Sequence, residues 1–172
     1  MDKIKQINLG KKHGIDISEF ANPKFGIAQV MQIIYGIEDG LSKSEVKIYA
    51  KPEFNREQMK QIRLGLENGV DVSWYAKPEF DWWQMEEIRL GLEHNVDISV
   101  YAKHEYDGWQ MKEIRLGLEK GIDVSIYAKP IFSSSQMEQL RLGLEEGLDV
   151  SIYAIPEFWA FEMEETRVNM SK

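Results

Sequence analysis

Cysteine is absent from the 172-residue chain. Disulfides and thiolate metal sites are therefore excluded, and the composition fits a reducing compartment. Histidine occurs only three times, as His13, His94 and His104, at unrelated places, so no metal site is expected. No run of about 18 apolar residues exists, so nothing is expected to span a membrane. The opening stretch MDKIKQINLGKKHGIDI holds no apolar run long enough for a secretory signal, and a cytoplasmic protein is expected. Positive charge is in short supply as well: 21 Lys and Arg against 29 Asp and Glu leave a net charge of -8. Nucleic acid needs clustered Lys and Arg, so it is disfavoured as a partner. A glycine-rich phosphate loop and a Ser–His–Asp spacing are also missing, and neither a cofactor nor catalysis is expected.

What the chain does have is internal repetition. Gly65, Gly91, Gly117 and Gly143 are each 26 residues apart. Met59, Met85, Met111, Met137 and Met163 keep the same step, as do Tyr49, Tyr75, Tyr101, Tyr127 and Tyr153. So do Arg63, Arg89, Arg115, Arg141 and Arg167. Gly10, Asp16, Phe20 and Ala21 are a worn earlier copy, and three residues are inserted before Tyr49. At 43% hydrophobic and 29% charged, the chain suits one globular domain. The expectation is a single repeat domain over 1–172, with divergent repeats at 1–48, regular repeats at 49–156 and a capping helix at 157–172.

Each repeat reads as helix, turn, short helix. Asn55, Asp81, Asp107 and Ser133 are followed three residues later by Gln58, Gln84, Gln110 and Gln136, the capping-box spacing. Gly69, Asn95, Gly121 and Gly147 suit left-handed C-caps. Asp71, Asp97, Asp123 and Asp149 cap a second helix, which Pro78, Pro130 and Pro156 keep short, in part 3₁₀. The alternation at VDVS is too brief for a strand. The fold class is therefore all-α, a right-handed α-solenoid of about five 26-residue repeats between partial ends.

Repeated residues serve the repeat. The methionines, tyrosines and glycines are expected in the core, with Gly65 allowing close helix approach. Arg63, Arg89, Arg115 and Arg141 form a structural ladder. Their partners would be Glu67, Glu93, Glu119 and Glu145 four residues on, or the aspartates eight residues on. An anion or nucleotide site on this ladder is the lesser alternative.

Unrepeated residues point to function. The pairs following each long-helix cap are Arg56–Glu57, Trp82–Trp83, Gly108–Trp109, Ser134–Ser135 and Ala160–Phe161. A fold that tolerates arginine, serine or glycine there leaves those positions exposed. Trp82, Trp83, Trp109 and Phe161 are therefore expected to form an aromatic edge that binds a protein partner. Glu79, Asp81, Glu86, Glu87 and Glu105 would frame it, with Glu86, Glu87, Glu164 and Glu165 on the solvated helix face. Trp74, in the place of Val100, Ile126 and Ile152, is expected in the core. A homodimer through the same edge is the alternative.

The phrase QMEEIRLGLE, with GVDVS and YAKPEF beyond it, resembles an uncharacterised family of helical-repeat proteins from mobile elements of anaerobic gut Firmicutes. The resemblance covers about Gly36 to Arg167. It implies no catalytic residues. It implies an anti-defence role, such as an inhibitor that docks a host protein.

Overall fold

The computed structural model describes Met1 to Lys172. It is all-helical: eight α-helices and four 3₁₀ turns, with no strand. The α-helices are α1 (Lys3–Lys12), α2 (Ile27–Glu38), α3 (Lys43–Tyr49), α4 (Arg56–Glu67), α5 (Trp82–Glu93), α6 (Gly108–Glu119), α7 (Ser134–Glu145) and α8 (Ala160–Met170). The 3₁₀ turns are Val72–Trp74, Ile98–Val100, Val124–Ile126 and Val150–Ile152. Two compact halves can be distinguished, Met1–Arg89 and Leu90–Lys172.

Local chemistry sets every boundary. Asn55 accepts the N–H groups of Glu57 and Gln58 at 2.9 and 3.0 Å, and Gln58 Oε1 accepts the Asn55 N–H at 2.8 Å. The same reciprocal box opens α6 at Asp107 and Gln110 and α7 at Ser133 and Gln136. Asn95 takes a positive φ of 57° where Gly69, Gly121 and Gly147 take 69° to 75°, and these residues stop the long helices. Each 3₁₀ turn is capped by its aspartate, as when Asp97 accepts the Ser99 N–H at 3.0 Å. The hydroxyl and then the backbone N–H of Ser99 hold the Asp97 carboxyl below its usual range. In the N-terminal half the three inserted residues have room for a full α-helix, so α3 stands where later repeats have 3₁₀ turns.

The core repeats with the sequence. Met59, Ile62 and Tyr75 are fully buried in the N-terminal half, as are Met111, Ile114, Tyr127, Met137, Leu140 and Tyr153 in the C-terminal half. Each such side chain contributes about 1.5–3 kcal/mol by leaving water.

The mid-helix glycine has a different cause from the one expected. It makes room for the tyrosine of the following turn. Tyr127 donates its hydroxyl to the Glu113 carbonyl at 3.2 Å, and Tyr75 does the same to Gln61 at 3.2 Å. A Cβ on Gly117 would overlap the Tyr127 hydroxyl and lie 2.9 Å from Val124 Cγ1. Burial pushes the Tyr127 phenol well above its usual range, so it stays a neutral donor.

Gly117→Ala should therefore lower stability by about 1–3 kcal/mol of overpacking, against the roughly 1 kcal/mol that alanine gains as a helix former. Urea unfolding measures the net effect. Adding Tyr127→Phe should recover part of the loss; a simple gain of stability in Gly117→Ala would show that the hydroxyl does not occupy this space.

Candidate protein-binding surface

Two polar devices hold successive repeats together and so fix the surface. The first is the capping glutamine. While its oxygen caps its own helix, its nitrogen reaches into the next repeat. Gln58 Nε2 donates to the Phe80 carbonyl at 2.7 Å, Gln110 to Phe132 at 2.7 Å, and Gln136 to Phe158 at 2.6 Å. These glutamines are buried, at 6–7% exposure.

The second device is the arginine ladder. Arg63 Nε donates to Gln32 at 3.1 Å and its Nη1 to Glu67 at 2.6 Å. Arg89 Nε donates to Gln61 at 3.0 Å. Arg141 Nε donates to Glu113 at 2.8 Å, and Nη1 pairs with Glu145. Of the two partners expected, the glutamate four residues on is the one used; Asp71 and Asp123 instead cap Ser73 and Ser125. Arg63 and Arg141 are themselves buried. Their charges are matched internally. Burial pushes the Glu145 carboxyl up, but hydrogen bonds from Lys120 and Arg141 outweigh it and hold the group below its usual range.

The predicted site residues divide between the halves. In the N-terminal half, Trp82 is 39% exposed and Trp83 is partly buried. Their rings lie 5.3 Å apart at 30°. Glu79 is exposed, and Glu86 is half-buried at 3.8 Å from Arg89. Glu87 is only 4% exposed, which corrects its assignment to the solvated face. It falls in the repeat register of Gln61 and Glu113, the acceptors of arginine. Trp74 is corrected the other way: expected in the core, it is 42% exposed.

In the C-terminal half, Trp109 is 50% exposed, with the Lys112 ammonium 5.4 Å over its ring. It lines an open groove with Lys112, Glu113, Ser134, Ser135 and Glu138. Ser135 also lines a second groove, together with Pro156, Phe158 and Trp159. Trp159 is 71% exposed and Phe161 65%. Ser135 is thus shared by the Trp109 groove and the Trp159 groove.

Trp159 was not among the expected site residues. Its signal was present, since a 26-residue step from Ser133 lands on it, at the helix-cap position. An indole cannot cap as serine or aspartate does, and losing a cap typically costs about 1 kcal/mol. Here only the reciprocal half of the box survives, with Glu162 accepting the Trp159 N–H at 2.7 Å.

Charge is concentrated on the same half. Residues 1–89 hold 13 Lys and Arg against 14 Asp and Glu; residues 90–172 hold 8 against 15. The second half therefore carries -7 of the net -8. His13 and His94 pair with Glu38 and Glu119 at 2.9 and 2.6 Å, and no three His, Asp or Glu side chains converge in a metal-binding group. Comparison with protein families, curated proteins and solved structures finds no match.

The ladder has a built-in control. Because glutamine serves at positions 32, 61 and 139, Glu113→Gln should cost under about 1 kcal/mol. Arg141→Ala strands the buried Glu113 and should cost about 3–5 kcal/mol. Thermal unfolding of both variants checks this; equal losses would mean that the charge of Glu113, and not its place as an acceptor, is what matters.

Proposed function

We propose that the protein is a non-enzymatic binding scaffold whose repeats stack as a right-handed α-solenoid. Its C-terminal half docks a basic protein partner. The observation that carries this reading is the exposure of Trp109, where other repeats hold Glu57 or Ser135, and of Trp159, where other repeats hold only Asn55, Asp81, Asp107 and Ser133. The repeat does not need an aromatic ring at either place. An exposed indole leaves much of a 150–250 Å² side chain in water, a cost recovered when a partner covers it.

The two grooves on either side of Ser135 suit apolar anchors, and Glu138 and Glu157 suit a positively charged rim around them. Trp82 and Trp83 supply a further aromatic pair on the N-terminal half. A partner with a basic groove fits the charge of -7 through steering as well as contact. The resemblance to repeat proteins of mobile elements supports a narrower form, an inhibitor that covers such a groove on a host defence protein.

Affinity capture from a host-like lysate tests the reading, with the wild type beside a Trp109→Ala/Trp159→Ala variant of unchanged circular dichroism. One stoichiometric basic partner, lost or weakened at least about tenfold in the variant, is the expected result. Equal capture by both baits would remove the tryptophans from the interface.

A further inference from the structure

The chain's own arginines show what the exposed face of α8 is built to receive. Arg63, Arg89, Arg141 and Arg167 each donate Nε to an acceptor on the preceding long helix: Gln32, Gln61, Glu113 and Gln139, at 2.8–3.2 Å. A 26-residue step from Gln139 places the corresponding acceptor of α8 at Glu165. Glu165 is exposed. Phe161 and Val168, four residues before it and three after, lie on the same helical face and are 65% and 43% exposed.

Two more substitutions suit α8 to a foreign partner. Glu162 holds the register of the clamping glutamines but is only half-buried. A carboxylate accepts hydrogen bonds and cannot donate to a backbone carbonyl as Gln58, Gln110 and Gln136 do. Asn169 holds the register of the glycines, so the tyrosine of a further repeat of this kind would find no space there. A second copy of the chain fits poorly, because its first two helices carry Asn8 and Ile34 in the arginine register. The surplus of carboxylates on this half also repels its like and attracts a basic partner.

We infer that the Phe161–Glu165–Val168 face of α8 is a docking site for a helix of a basic partner protein, which inserts an arginine between two apolar contacts. The guanidinium seats on Glu165 as Arg141 seats on Glu113. Phe161 and Val168 bury the flanking apolar side chains, in the manner of one more helix added to the stack. None of these three residues lines the Trp109 or Trp159 groove.

A hydrocarbon-stapled peptide of the Ser133–Glu145 sequence with Glu138→Lys, which carries Arg141 in the right register and a net positive charge, serves as the probe against the full-length protein. Fluorescence anisotropy should show salt-sensitive binding that Glu165→Gln weakens by about tenfold or more. A peptide with Arg141→Glu should fail on the wild type and bind the Glu165→Arg protein. Trp109→Ala/Trp159→Ala should leave peptide binding unchanged, which separates this site from the grooves. Equal binding to wild type and Glu165→Gln, or no binding of the Arg141 peptide, would overturn the inference. So would a dimer in sedimentation that Glu165→Gln dissolves, since the face would then belong to a second copy.

Discussion

The glutamine amide at the start of α4, α6 and α7 is the interaction on which the rest depends. Its oxygen completes the cap of its own helix. Its nitrogen satisfies the carbonyl of the aromatic residue that opens the next repeat. Each bond contributes only about 1 kcal/mol net, but an unsatisfied buried amide costs about 1–3 kcal/mol. Helix initiation and repeat registration are thus one event. A repeat displaced by a single residue would break its cap and its junction together.

The arginine ladder works beside this clamp at the opposite electrostatic extreme. A guanidinium with little access to water needs partners for its donors. It finds a carboxylate four residues on and a glutamine or glutamate on the preceding helix. Position 113 carries charge where positions 61 and 139 do not, so the ladder demands an acceptor and not an anion. That tolerance leaves the sequence free to vary charge between repeats while the fold stays the same. The packing therefore does not require the crowding of acidic residues onto 90–172, and the proposed basic partner is what would account for it.

Much of the local structure was legible because it is written in short-range chemistry. Capping boxes, left-handed residues such as Asn95, and aspartate-capped turns all read correctly from spacing. Solvent exposure was less legible. In a 3₁₀ turn, residues three apart eclipse, so Val72 and Tyr75 share the buried side and Trp74 is thrown outward. A helical repeat equates Trp74 with Val100, Ile126 and Ile152, which suggested core; in fact Ile152 is also exposed, at 55%. Glu87 differs for the opposite reason: it is buried, and its mark in the sequence is its register with Gln61, Glu113 and Gln139, which accept from arginines. Trp159 was legible but overlooked, because it interrupts a run of polar caps instead of joining a run of aromatics.

A photo-crosslinking amino acid placed one position at a time at 74, 109 and 159, in cells that contain the partner, tests the central claim most directly. The account predicts that positions 109 and 159 trap the same protein and that position 74, equally aromatic and similarly exposed, traps nothing. A crosslink at 74 with none at 109 or 159 would contradict it, and would move recognition to the outer side of the 3₁₀ turns.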